Sequence, residues 1–208
     1  MPLKTAAILL ALLASNAALA QTLSVDGCNI RRGTFCVNMN LNGAELPGVN
    51  LANSQFSRSK LAGANLEGAT LDEANLSSTV LSGARLADAS LRRINARGVN
   101  FEEADLRRAH LENANLQNAR MARARLDGAR LANAEMSNAR LGGAVFDGAD
   151  LTRANLRATE LRGASFKGAD LSGANFTRAD LTDADLSGAK LDQANFFGAE
   201  TAGCIGCP

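Results

Sequence analysis

From Leu41 to Phe196 every fifth residue is Leu, Phe or Met, and 31 of these 32 positions keep the register, Ala96 being the exception. From Leu46 on, two residues before each of these sits a small one: Ala at 25 of the 32 positions from Ala44 to Ala199, and otherwise Val, Ser, Thr or Ile. A period this strict describes one short unit stacked many times, not a domain with a unique core. Five fits neither common element. On an α-helix each step of five turns the side chain by about 140°, which spreads the leucines around the whole circumference. On an unbroken strand an odd spacing sends successive leucines to opposite faces. The conflict disappears if each pentad is a short extended piece ended by a bend. Ala64 and Leu66 then point inward, Asn65 points outward, and Glu67 and Gly68 turn the corner.

The outward positions predict how many pentads close one coil. Positions 55, 75, 95, 115, 135, 155, 175 and 195 read Gln, Asn, Asn, Asn, Glu, Asn, Asn, Asn. The other 24 outward positions between 45 and 200 hold only three Asn: Asn50, Asn65 and Asn100. Positions 48, 68, 88, 108, 128, 148, 168 and 188 read Gly, Gly, Asp, Arg, Gly, Gly, Gly, Gly. A coil of four pentads, 20 residues, stacks the first set into an amide ladder and the second into a glycine-rich corner. Amide side chains in such a ladder can hydrogen-bond to their equivalents above and below, and Gly suits corners that need φ > 0. Charges agree: residues 20 apart, such as Asp72/Arg92/Glu112, Arg85/Asp105/Arg125, Arg107/Asp127 and Arg130/Asp150, give 12 opposite-sign neighbours against five of like sign.

The motif A-(D/N)-L-x-x, written here as Ala64-Asn65-Leu66-Glu67-Gly68 and Ala169-Asp170-Leu171-Ser172-Gly173, resembles the pentapeptide-repeat family over about residues 39–200. The resemblance implies an all-β fold, a right-handed quadrilateral parallel β-helix, and the hand rests on the resemblance alone. Residues 41–200 would form about eight 20-residue coils, a rod on the order of 40 Å long. Residues 21–40 are expected to cap the first coil, with 201–208 as a tail carrying a CxxC. Around Ala96 the flanking small positions have grown to Ile94 and Val99, which reads as volume compensation within one coil.

Residues 1–20 contain one Lys, an apolar run from Ala6 to Ala14, and Ala18-Leu19-Ala20 ahead of Gln21. This is the pattern of a secretory signal cut after Ala20, too short in its apolar run for a spanning helix. A periplasmic or secreted chain is expected, with no membrane span. Loss of Lys4 leaves 21 basic residues against 21 acidic, so the mature chain is neutral.

The four cysteines lie only at the two ends, Cys28 and Cys36, then Cys204 and Cys207. An exported chain favours disulfides, and the length of the rod confines intramolecular pairing to Cys28–Cys36 and Cys204–Cys207. A redox role for Cys204-Ile-Gly-Cys207 lacks the usual helix setting. Zinc on all four cysteines would need two molecules end to end. No cofactor or metal is expected.

The one histidine, His110, sits on an outward row between Ser90 and Arg130. Acidic residues are scattered over all faces, and no nucleophile elbow or phosphate loop occurs, so an enzyme is not expected. Between 85 and 130 ten Arg face six Asp or Glu. Such a belt could attract anions, but most of those arginines, among them Arg85, Arg92, Arg93, Arg107, Arg108, Arg123 and Arg125, have an acid directly above or below. Aromatic residues for stacking on bases are missing outside the core, so no nucleic acid is expected as a partner. Val80, Val145 and Phe197 are the expected exposed apolar residues, and Phe197, beside the last coil, is the candidate contact for an end-to-end homodimer.

Two functional readings follow. One is an exported, non-enzymatic structural or protein-interaction scaffold with an unidentified protein partner. The alternative comes from the resemblance: some family members are similar in shape and charge to duplex DNA, bind DNA gyrase and protect it from quinolones. That mimicry needs a strongly negative surface and access to the cytoplasm, and a neutral chain with an export signal has neither.

Overall fold

A computed structural model describes residues 24–208; the expected signal and its cut after Ala20 lie outside the described residues. The chain winds as a four-sided coil in which each outward residue pairs with the residue 20 positions later. Parallel bridges run without a gap from Phe35↔Gln55 to Asp185↔Ile205. Each side is one pentad, too short for a strand longer than a single bridge, because a corner follows after three extended residues.

The inward positions behave as the period requires. Leu41, Leu66, Leu106 and Leu151 are fully buried, as are Ala64 and Ala104 beside them. Ala96 is buried with Ile94 and Val99 packed around it, so the missing leucine leaves a repacked coil. Phe146 and Phe166 stack across adjacent coils at 4.8 Å, and Phe176 and Phe196 at 4.9 Å. Where Ser or Thr replaces the inward Ala, its hydroxyl donates to a backbone carbonyl, as Thr79 does to Phe56 (2.8 Å) and Thr159 to Leu156 (2.6 Å). Those bonds remove the cost of burying a hydroxyl.

The corners contain a regularity that the glycine column understates. Every residue at the second corner position from Gly33 to Gly203 has positive φ, whether it is Gly, Asn, Asp, Arg, Glu, Gln, Ser or Ala. The N–H that follows closes the turn, as from Ala64 to the Leu61 carbonyl at 3.0 Å. This is the left-handed third residue that a type II turn demands. Arg108 and Arg123 adopt it with φ of 55° and 56°, a conformation that L residues other than Gly and Asn enter at a cost of roughly 1–2 kcal/mol. Repetition of hydrogen bonds on both sides of each corner imposes it.

At the N-terminal end β1 (Ser24–Val25) and β2 (Cys28–Asn29) form a small antiparallel hairpin. Its turn is Asp26-Gly27, both at positive φ, the geometry favoured for two-residue hairpin loops. At the other end the inward side chains Leu191, Phe196 and Cys204 are only partly buried.

Candidate functional site

Outward side chains of this fold are the only ones available for function, and most are already engaged. The outward Asp or Asn of the motif accepts a hydrogen bond from the backbone N–H two residues later, inside its own corner. Asn75 does so with Ser77 (3.1 Å), Asn115 with Gln117 (3.2 Å), Asp150 with Thr152 (3.0 Å) and Asp185 with Ser187 (2.9 Å). This explains the residue type at that place: a short side-chain acceptor satisfies a corner donor that no other strand reaches. Hydrogen bonds from Ser172, Thr182 and Ser187 hold the carboxyls of Asp170, Asp180 and Asp185 below the usual carboxylate range.

The expected amide ladder forms only in part. Asn75 donates to Gln55 (3.1 Å), and Asn155 donates to Glu135 (2.9 Å), one coil below in each case. Asn95, Asn115, Asn175 and Asn195 make only the contact within their own corner, which Asn75 and Asn155 make as well. An i to i+2 contact is local and costs less ordering than a contact between coils. Burial pushes the Glu135 carboxyl up, but hydrogen bonds from Ser137 and Asn155 outweigh it, and the group sits below the usual range.

Ion pairs cover the other faces, with partners that differ from the straight vertical neighbours in the sequence. Arg108 pairs with Asp88, Arg93 with Glu73 and Arg123 with Glu103, each one coil apart as expected. Arg85, however, reaches Glu67 at 2.6 Å and Arg130 reaches Glu112 at 3.0 Å, 18 residues away. Arg107 folds back onto Asp105 at 2.6 Å instead of meeting Asp127. A long side chain on a flat face spans the diagonal to the neighbouring corner, a reach that vertical counting misses. Of the ten arginines between 85 and 130, only Arg97 lacks an ion pair among the described residues. The belt is therefore self-neutralised. Exposed pairs of this kind contribute about 0–1 kcal/mol each.

His110 lies in the densest part of this network. Its Nδ1 is 2.5 Å from the Arg92 guanidinium and 3.7 Å from Glu112, which also meets Arg92 at 3.5 Å. Its side chain is partly exposed and shares Arg92 and Glu112 with the ion pairs around it. Among the described residues no three His, Cys, Asp or Glu side chains converge on a metal-sized site. A shallow depression at one corner is lined by Asn133, Arg153, Ser172, Gly173 and Asp192.

Disulfides join Cys28 to Cys36 and Cys204 to Cys207, with Cα separations of 5.5 and 5.9 Å. The first is buried and joins β2 of the hairpin to the first coil, and the second flanks the last coil. Phe197 is 74% exposed, while Val80 and Val145 are half-buried between neighbouring side chains, contrary to expectation. Three exposed apolar residues were not anticipated: Phe35, Val37 and Ile205. Phe35 and Ile205 had been assigned to a cap and a tail, yet both occupy outward bridge positions. Extending the five-residue count beyond the leucines would have found them.

The pentapeptide-repeat family model matches in eight copies between residues 36 and 198. The chain belongs to the pentapeptide-repeat family. It is similar to HetL, a pentapeptide-repeat protein involved in heterocyst differentiation regulation in the cyanobacterium Nostoc, with 32% identity, 81% of this chain and 85% of that one covered, and a TM-score of 0.43. A second cyanobacterial family member, alr5209 from Nostoc, is 42% identical over 40% of this chain and 69% of its own, with a TM-score of 0.37. A trypsin-treated form of QnrB1, a plasmid-mediated fluoroquinolone resistance protein, is 22% identical and covers 82% of this chain and 89% of its own, with a TM-score of 0.50. At that identity the likeness is one of fold. No curated protein matches. As a pentapeptide-repeat protein the chain is a right-handed quadrilateral β-helix. No helix among the described residues is long and apolar enough to cross a membrane.

Proposed function

We propose that this pentapeptide-repeat scaffold is exported, has no catalytic role, and acts by holding other macromolecules, beginning with a second copy of itself. The observation that carries this reading is the uncovered last coil. In the interior of the rod, Leu171, Phe176 and Leu181 donate their backbone N–H groups to the coil above. The equivalent N–H groups of Leu191, Phe196 and Thr201 have no backbone acceptor among the described residues. Open strand edges beside half-buried apolar groups favour pairing with another edge. Exposed Phe197 and Ile205 flank that edge and add apolar area to it.

Export is supported by the leader composition and by two local disulfides, bonds that persist in oxidising compartments. Fusing residues 1–20 to a reporter that is active only outside the cytoplasm tests it; a silent fusion rejects the reading. For self-association, light scattering of the mature chain should give a dimer, and Phe197→Asp should give a monomer. A wild-type monomer, or a dimer untouched by the substitution, rejects the end-to-end contact. The DNA-mimicking gyrase binder requires an acidic exterior, whereas these faces carry paired charges of both signs. Gyrase supercoiling assayed with the chain lacking residues 1–20 separates the two readings: inhibition or quinolone protection would replace the scaffold.

A further inference from the structure

One strip of the surface differs from the rest of the rod. It consists of the amide row at 55, 75, 95 and so on to 195, together with the corner that follows it. Every ion pair among the described residues lies on the other faces and corners. On this corner Arg58, Arg97, Arg157 and Arg178 are all exposed. Their guanidinium groups have neither an ion pair nor a side-chain hydrogen bond among the described residues. Glu135 is the one carboxylate of the strip, and Asn155 and Ser137 occupy it.

Beside the arginines the amide row presents donors. The oxygens of Asn95, Asn115, Asn175 and Asn195 accept from their own corners, and their Nδ2 groups have no acceptor among the described residues. At the N-terminal end of the same strip stand Phe35, 83% exposed, and Val37.

We propose that this strip is a docking surface for a linear polysaccharide bearing uronic acid carboxylates. The ligand must be rich in acceptors and poor in donors fixed along its backbone. Carboxylate, ring and glycosidic oxygens of a polyuronate all accept, which matches amide N–H and guanidinium groups in line. An extended acidic peptide alternates N–H with C=O, and half of its groups would face donors. Duplex DNA carries one charge per roughly 1.7 Å, far denser than four arginines spread from Arg58 to Arg178, six coils or roughly 29 Å. Nor does the strip carry the series of aromatic rings on which single-stranded bases stack. Phe35 supplies one apolar plate, enough for the flat face of one sugar ring.

The test is calorimetric titration of the mature chain with polygalacturonate, with neutral dextran and single-stranded DNA as comparison probes. Polygalacturonate should bind saturably and more weakly as salt rises, and dextran should not bind. The pair Arg157→Gln with Arg178→Asn should weaken binding by about tenfold, and so should Arg58→Asn with Arg97→Gln. Asn is chosen at 58 and 178 because those corners have φ near 58–59°, which Asn tolerates. Glu135→Gln should tighten binding by about twofold, and Arg123→Asn, on a different corner, should leave it unchanged. Circular dichroism of each variant confirms the folded coil. No binding of polygalacturonate at low salt, equal loss in the Arg123 variant, or tighter binding of the DNA would overturn the proposal. Arg58 and Arg97 lie away from the last coil, so the loss in that pair and the dimer result are independent of each other, whereas Arg178 lies beneath the Phe197 corner.

Discussion

The two ends of the rod solve the same problem in opposite ways. At the N-terminal end the hairpin β1–β2 lies over the coil and the Cys28–Cys36 bridge pins it there. Ile30, Thr34 and Cys36 beneath it are buried, and Leu41 is as inaccessible as any residue of the middle. At the C-terminal end Cys204–Cys207 closes only a three-residue step, and nothing described covers Leu191 or Phe196. A stack of identical units is stable only where each unit has a neighbour on both sides. A sealed end behaves like the interior, and an open end behaves like a binding surface.

Cavity formation gives the largest expected contrast. Leu41→Ala should cost about 2–5 kcal/mol in urea unfolding, as for a fully packed leucine, and Leu191→Ala about 1 kcal/mol or less. Equal losses would show that the two ends are equally covered. Next come the disulfides. Replacing Cys28 and Cys36 by Ser should cost about 2–3 kcal/mol, because the loop they close ties the cap to the coil. Replacing Cys204 and Cys207 should shift the main transition by under about 1 kcal/mol, because it frees a segment already at the edge. Phe197→Asp is smaller still in stability, within about 0.5 kcal/mol, while changing the oligomeric state; a large loss of stability instead would place Phe197 in the fold and not at a contact.

Acid gives the smallest effect. Asp170, Asp180 and Asp185, all toward the open end, are depressed in the folded chain by hydrogen bonds from Ser172, Thr182 and Ser187. Their contribution is complete above the unfolded carboxylate value of about 4 and is lost as pH falls through the lower folded values. The melting temperature should therefore fall below about pH 4, and Asp180→Asn, which keeps the acceptor without the charge, should fall less. An Asn variant as acid-sensitive as the parent would remove Asp180 from the account.

The period was legible because it is a constraint on every coil at once: Leu66, Leu86 and Leu106 can share one interior only if 20 residues close the square. Hydrogen bonding at the corners was less so. The glycine column suggested one set of left-handed corners, yet Arg108 and Glu103 adopt the same backbone as Gly128, since the ladder on either side overrides residue preference. The preference for Asp and Asn before the leucine was visible, but its cause, an acceptor for the N–H two residues on, needed coordinates. The N-terminal hairpin had a signal in Asp26-Gly27 that the leucine period drew attention away from.

Sequence by itself determined the square cross-section, the inward and outward sides of each pentad and the local pairing of the cysteines. Each of these follows from spacing along one chain. Only the tertiary structure decided which charges cancel, because a guanidinium can reach down, diagonally or back to its own corner, and spacing does not choose among them. That choice leaves Arg58, Arg97, Arg157 and Arg178 without ion pairs on one edge, while the other nine arginines between 85 and 130 are all paired. The last coil is likewise open for a spatial reason: burial at an end depends on what lies above it, and no periodic position encodes that.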